Sequence, residues 1–465
     1  MKKERIDRRS FLKRLGLGAS AAGLSLAGCS SPGKKILEPN GIKRKDLGEM
    51  TYRTNHNSGD KVSLLGFGCM RWPMKEAKEG NSEEINQEEV NRLVDYAIEH
   101  GVNYFDTSPA YCRGLSELAT GIALKRHPRD KYLIATKLSN FAPQTWTQEE
   151  SMKIYHNSFD QLQVDHIDYL LLHGVGMGSD SMDEFNKRFV ENGMLDYLIK
   201  ERESGKIRNL GFSFHGDVKV FDYLMEIHPK IHWDFAQIQL NYADWQNATG
   251  WNVNAEYLYD ELTKRNIPAV IMEPLLGGRL ASLPDHLSAK LKEKKPEDSI
   301  ASWSFRYAGS FPNVLTVLSG MRFMEHLEDN LVTYSPLESL TLEEKQLLEN
   351  IGEELIKYPT VPCTACEYCM PCPYGINIPA IFTHYNKCVT EGKLPRHNKD
   401  ENYAQARKAF LIGYDRSVPK LRQASHCIGC SQCEPHCPQS IKILERLHAI
   451  DHFIEQVKQN KEVLS

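Results

Sequence analysis

Beyond residue 28 this chain of 465 residues has no run of 18 uninterrupted apolar residues, so no transmembrane helix is expected there. It also lacks an excess of positive charge. The formal net charge is −4, and residues 1–28 carry five net positive charges, which leaves −9 on the remainder. An acidic body has no counterion-release drive toward polyphosphate, which argues against nucleic acid as a partner. The glycine-rich phosphate turn of a dinucleotide fold is missing too. Gly66-Phe67-Gly68 follows the first strand-like run but does not continue the fingerprint. No flavin motif is evident.

Cysteine, by contrast, is plentiful and clustered. Eight of twelve fall in two runs: Cys363-x2-Cys366-x2-Cys369-x2-Cys372-Pro373, and Cys427-x2-Cys430-x2-Cys433-x3-Cys437-Pro438. The second run has the spacing that wraps a cubane iron–sulfur cluster. Three thiolates hold one cluster, and a fourth, before proline, reaches the other. A zinc ribbon would leave the third and fourth cysteines of each run surplus. Disulfides are an alternative in an exported chain, but cysteines two residues apart bridge poorly. Two 4Fe-4S clusters are therefore expected. The first run departs by having two residues before its last cysteine, which makes Cys372 its least regular ligand. The runs are 54 residues apart, with helix-like segments at Pro379–Val389 and Asn402–Tyr414 between them. That spacing suggests a helical rather than a compact two-cluster domain over residues 361–465.

The N-terminus reads as an address. Seven Lys or Arg precede a Gly/Ala/Ser-rich stretch from Leu15 to Gly28, too short to span a bilayer. Arg8-Arg9-Ser10-Phe11-Leu12-Lys13 resembles a twin-arginine export signal, and Leu26-Ala27-Gly28-Cys29 resembles a bacterial lipobox. Residues 1–28 are thus expected to be a signal peptide and Cys29 a lipid anchor to the membrane. Residues 29–50 follow as a tether, on the extracytoplasmic side. Twin-arginine export carries folded proteins, as a cluster-bearing chain requires.

The remaining middle, residues 51–340, suits one α/β barrel, followed by a linker helix over residues 341–360. Eight strand-like runs alternate with helix-like stretches: Leu64–Cys69, Asn103–Asp106, Leu133–Lys137, Asp168–His173, Ile207–Ser213, Phe235–Asn241, Ala269–Glu273 and Val314–Gly320. Tyr169-Leu170-Leu171-Leu172 has no period of two, as expected of a parallel strand covered on both faces. Asn86 and Glu89 form a capping-box-like start and Gly101 a stop for the first intervening helix. The expected fold is a (β/α)8 barrel followed by a small helical cluster domain; a doubly wound open sheet is the alternative.

Asp106, Lys137, His173 and Ser213 each end an expected strand, and Tyr111 lies just beyond Asp106. Active sites of barrels gather at that rim. Taken singly, Asp106 could cap a turn, His173 could be a satisfied buried histidine and Lys137 a solvated strand end. Their joint placement argues for chemistry.

These residues sit in motifs that resemble the aldo/keto reductases: Asn103-Tyr104-Phe105-Asp106-Thr107-Ser108-Pro109-Ala110-Tyr111, Gly114-Leu115-Ser116-Glu117, Ala135-Thr136-Lys137, Leu171-Leu172-His173, Gly205-Lys206-Ile207-Arg208 and Gly211-Phe212-Ser213. The resemblance implies a catalytic tetrad of Asp106, Tyr111, Lys137 and His173 with an NADP or NAD cofactor. Tyr111 would protonate a carbonyl oxygen that receives hydride on its carbon. Lys137 would draw the phenol's pKa down, Asp106 would hold Lys137, and His173 would orient the oxygen. The resemblance places Ser213 and Gln237 at the carboxamide, Met272 at the stacking position, and Gly278 and Arg279 near the pyrophosphate. It places Gly320, Arg322 and Asn330 toward the adenosine. Phe214, Gly320 and His326 depart from the family's usual asparagine, lysine and arginine, and Arg322 could compensate at a phosphate.

Trp72, Phe141, Trp245 and Trp251 could line an apolar or sugar pocket, or simply pack the core. Cys69, Cys112 and Cys388 read as ordinary small residues. The leading expectation is an exported, lipid-anchored enzyme acting on a small carbonyl or alcohol, with the clusters relaying electrons to or from a redox partner. The alternatives are an electron-transfer or redox-sensing protein that uses the barrel as a docking scaffold, or purely structural clusters.

Overall fold

Eight short apolar runs become eight parallel strands. In the computed structural model, residues 47–76, 83–178, 180–247, 254–395, 397 and 400–460 are described. The expected signal peptide, Cys29 and most of the tether, together with Trp251, lie outside them.

The strands are β1 (Leu65–Gly68), β2 (Tyr104–Asp106), β3 (Leu133–Leu138), β4 (Ile167–Val175), β5 (Ile207–Phe214), β6 (Phe235–Gln239), β7 (Ala269–Met272) and β8 (Val314–Ser319). They pair in sequence order, and β8 returns to β1 to close the barrel. The open doubly wound sheet is excluded. Each strand lies within a residue or two of its expected run. Every residue of β4 is buried, which is why its sequence shows no alternation.

Two apolar layers hold the barrel. Inside it, Tyr104, Ala135, Tyr169, Leu171, Phe235 and Val270 fill the lumen. Outside it, the larger core packs the helices onto the strands. An antiparallel hairpin, Tyr52–Thr54 with Lys61–Ser63, precedes β1, and the adjoining Asn55 and Asp60 bond to Tyr169. The helix Gln87–Glu99 starts at Asn86, whose side chain accepts from the Glu89 amide. The reciprocal half of the box is missing because Glu89 is drawn instead to Arg92. Gly101 ends that helix at φ 87°, with no room for a side chain against the Tyr52 hydroxyl.

The helix Leu342–Leu355 lies in the expected linker and opens with a complete capping box, Thr341 and Glu344. It does not hang free. Leu348, Ile351 and Leu355 join the barrel's outer core, and Arg306 pairs with Glu344. Beyond it, helices Ile378–Thr390, Tyr403–Ser417 and Ile443–Lys458 form a separate small core around Ile381, Phe382, Phe410 and Phe453. Asn386 grips Val361 through both its backbone groups at 2.7 Å, which fixes where the first cysteine run begins.

Candidate active site at the barrel rim

The strand register sets the catalytic-type side chains side by side. Asp106 closes β2, Lys137 lies one residue from the end of β3 and His173 lies late in β4. Tyr111 opens a short turn, Tyr111–Gly114, whose Cys112 and Arg113 take positive φ. The Lys137 ammonium donates to Asp106 Oδ1 at 2.6 Å and to the Thr107 carbonyl at 2.9 Å. It lies 4.9 Å from the centroid of the Tyr111 ring. His173 Nδ1 meets the Ser139 hydroxyl at 2.6 Å and that of Ser108 at 3.2 Å. Thus the structure brings together all four residues expected to act as a tetrad.

Burial dominates their electrostatics. It pushes the Asp106 carboxyl up and the Lys137 ammonium down, each opposed by the other's charge. It holds His173 well below the usual histidine range, reinforced by Lys137 and Arg188, so the imidazole is neutral near pH 7. The expectation for Tyr111 is corrected. Its phenol is raised well above the ordinary value, by burial first and then by Tyr368 and Asp106. The physical reason is burial: the phenol lies out of water, and the charge of nearby Lys137 is already engaged by Asp106.

One residue that sequence reasoning missed stands at the centre. Tyr368, between Cys366 and Cys369, places its hydroxyl 2.9 Å from His173 Nε2 and shares a hydrogen bond with Tyr111. Phe141 packs beside both, its ring centroid 4.8 Å from that of His173 and 6.0 Å from that of Tyr368. Arg188, also unforeseen, is buried beneath, donating to the His173 carbonyl at 2.6 Å and facing Phe141 at 4.9 Å. A cleft of about 1030 Å³ opens from Tyr111 and Phe141 toward Trp146, Tyr368 and Arg422. Trp72 and Trp245 do not line it. Trp72 bonds to Thr120, and Trp245 packs on Phe311, both within the core. Cys69 and Cys388 are buried, and Cys112 donates to the Met70 carbonyl.

The expected nicotinamide positions divide. Gln237 is buried and its Oε1 has no partner among the described residues, which suits a carboxamide. Ser213 accepts from the Gly174 amide at 2.8 Å, and Met272 ends β7, half-buried. Asn330 holds Ser319, while Arg322 and Gly320 are exposed. Gly278 is exposed, but Arg279 donates to Thr360 at 2.7 Å and the neighbouring Gly277 is pressed against Thr364. As arranged, the chain fits a nicotinamide at the carboxamide end and not along the diphosphate stretch.

The cysteines sort across the two runs. Cys363, Cys366, Cys369 and Cys437 border one cavity. Cys433 lies close to Cys372 and Cys427, and Cys430 is exposed. Among the described residues, no three His, Cys, Asp or Glu side chains converge as a single ion requires. The four thiols instead share the border of that one cavity.

Residues 64–351 match the Aldo/keto reductase family, and residues 362–442 match a 4Fe-4S dicluster domain. The L-galactose dehydrogenase of Arabidopsis thaliana is 27% identical over 324 residues, covering 65% of this chain and 93% of that protein. Among solved structures, an aldo-keto reductase of Bacillus halodurans in its holo form aligns with TM-score 0.50 at 23% identity, covering 65% of this chain and 96% of its own. An aldo/keto reductase from Klebsiella pneumoniae in complex with NADP and acetate also aligns at 0.50, with 21% identity and coverage of 65% and 95%. The structural likenesses speak for the barrel alone. The family match spans well over half of the sequence, and with the barrel topology it leads to one conclusion: this chain is an oxidoreductase belonging to the aldo/keto reductase family, extended by a C-terminal 4Fe-4S dicluster domain.

Proposed function

We propose that the rim site reduces a small carbonyl compound, or oxidises the corresponding alcohol, with Tyr111 as the proton-transferring group. One observation carries this reading: the hydrogen-bonding atoms of Tyr111 and His173 converge on a single oxygen, at present that of Tyr368. Two groups that can hold one oxygen from two sides can hold a carbonyl oxygen. With a serine hydroxyl donating to Nδ1, neutral His173 donates from Nε2 and orients that oxygen. Tyr111, kept protonated by burial, is then the acid in the reducing direction. Asp106 fixes Lys137 beneath the ring, and Arg188 secures the backbone of His173.

A bound nicotinamide, NADP or NAD, supplies or accepts the hydride in this chemistry. Ser213, Gln237 and Met272 would meet its ring; Gly278, Arg279, Gly320, Arg322 and Asn330 would meet the rest only after the segment now held by Arg279 and pressed on Gly277 gives way. The dicluster domain is proposed to hold two cubanes with crossed ligation. Cys363, Cys366, Cys369 and Cys437 take one; Cys427, Cys430, Cys433 and Cys372 take the other. When bound, these groups carry electrons singly to or from a redox partner. The N-terminal pattern supports export by the twin-arginine route and a lipid anchor on Cys29.

The test is turnover of an aldehyde and alcohol panel by anaerobically purified protein and by Tyr111→Phe. Loss of about 100- to 10,000-fold in the variant is expected. Unchanged turnover would remove Tyr111 from the chemistry. Tyr368 itself favours a second reading, in which the barrel is a docking scaffold for an electron-transfer or sensing domain. That reading requires no turnover from either protein.

A further inference from the structure

The segment from Thr360 to Tyr368 does more than carry cysteines. Its Thr364 lies against Gly277 so closely that a Cβ on that glycine would sit 2.4 Å from the Thr364 Cα. Nothing can be interposed there. On the far side, Arg71, from the turn after β1, passes above Gly320 at the end of β8. It donates to the Thr364 carbonyl at 2.7 Å. The Thr364 side chain bonds to Glu273, which follows β7. Thr360 takes the Arg279 guanidinium. The loops after β7 and β1 are therefore joined through this segment, directly over the end of β8. Gly277 to Arg279 and Gly320 to Arg322 flank that groove, and they are the stretches proposed above for the dinucleotide's diphosphate and adenosine. At its other end the segment puts the Tyr368 hydroxyl between His173 and Tyr111.

We infer that residues Thr360–Tyr368 and a nicotinamide dinucleotide are alternative occupants of the groove over the end of β8, with the Tyr368 hydroxyl likewise standing in for the substrate oxygen. The inference rests on the nicotinamide reading above. The Gln237 oxygen has no hydrogen-bond partner among the described residues, so the segment makes no such bond at the carboxamide position. What closes the site is the diphosphate stretch. Two ligands of one groove are reciprocally linked: dinucleotide must release the segment to the extent that the segment weakens dinucleotide.

The test uses the full chain, purified anaerobically, with NADPH as the probe. The double variant Thr364→Ala, Tyr368→Phe removes side-chain contacts of the segment while leaving every proposed nucleotide contact intact. Its visible absorbance confirms that the cluster domain is assembled. NADPH is expected to bind the variant about tenfold or more tighter than the parent, the effect of losing side-chain hydrogen bonds that hold the competitor in place. Backbone hydrogen exchange over residues 360–369 of the parent is expected to speed up on saturation with NADPH. Equal affinities with unchanged exchange would overturn the inference while leaving the nicotinamide reading standing. No binding by either protein at millimolar NADPH would overturn the nicotinamide reading, and the competition with it.

Discussion

Lys137 donates to Asp106 across 2.6 Å, and neither side chain is more than 3% exposed. A buried pair of this kind is costly to break singly because the surviving charge has no water. Asp106→Asn or Lys137→Met is expected to lower folding stability by about 3–5 kcal/mol. The double variant should recover much of that loss. Denaturant unfolding monitored in the barrel checks both.

Glu117 gives a pH signature with a definite sign. Burial raises its carboxyl from 4.5 to about 7, against hydrogen bonds from Thr136 and Ser158. The folded protein therefore holds it neutral where the unfolded chain ionises it. The stabilising effect is complete below about pH 4.5 and is lost as pH rises through 7. Glu117→Gln should gain stability relative to the parent across that window, by roughly 3 kcal/mol at most. Unfolding midpoints at pH 5 and pH 8 measure it. A constant difference would show that the carboxyl is ionised throughout.

The crossed cysteine arrangement predicts a crossed loss. The parent should contain about eight iron and eight sulfide per chain. Cys437→Ser should disturb the site built on the first run, Cys363, Cys366 and Cys369, although it belongs to the second. Cys372→Ser should disturb the site of Cys427, Cys430 and Cys433. Iron analysis with electron paramagnetic resonance of each variant distinguishes the sites, and loss within the mutated run would refute the crossing.

Location is tested at the N-terminus. Replacing Arg8-Arg9 with two lysines should retain the protein in the cytoplasm, because a receptor reads the pair and not its charge. Cys29→Ser should move it from the membrane fraction to the soluble one. Fractionation and immunoblotting give both answers.

The eight strands could be read in advance because parallel strands buried on both faces leave unbroken apolar runs, as Tyr169 to Leu172 shows. The shared placement of Asp106, Lys137 and His173 was legible for the same reason: they interrupt such runs near their C-terminal ends, on the rim where the structure gathers them. The cross-run grouping of Cys437 with Cys363 also followed from spacing. Tyr368 was not legible. Its partner His173 is 195 residues away, and the contact exists only because the cluster segment docks on the rim. Nor could the sequence tell that Trp72 and Trp245 turn inward, since an aromatic in a rim loop has either choice. The direction of the Tyr111 shift is not legible either, because residue types give the presence of Lys137 but not how deeply the phenol is buried.

The place of Tyr368 in the chain has an experimental consequence. Cys369 is its immediate neighbour and Cys366 lies two residues before it. A reorganisation of those thiols, air oxidation included, is expected to displace the phenol that meets His173. Assays of the barrel are therefore expected to respond to oxygen as much as assays of the cluster domain.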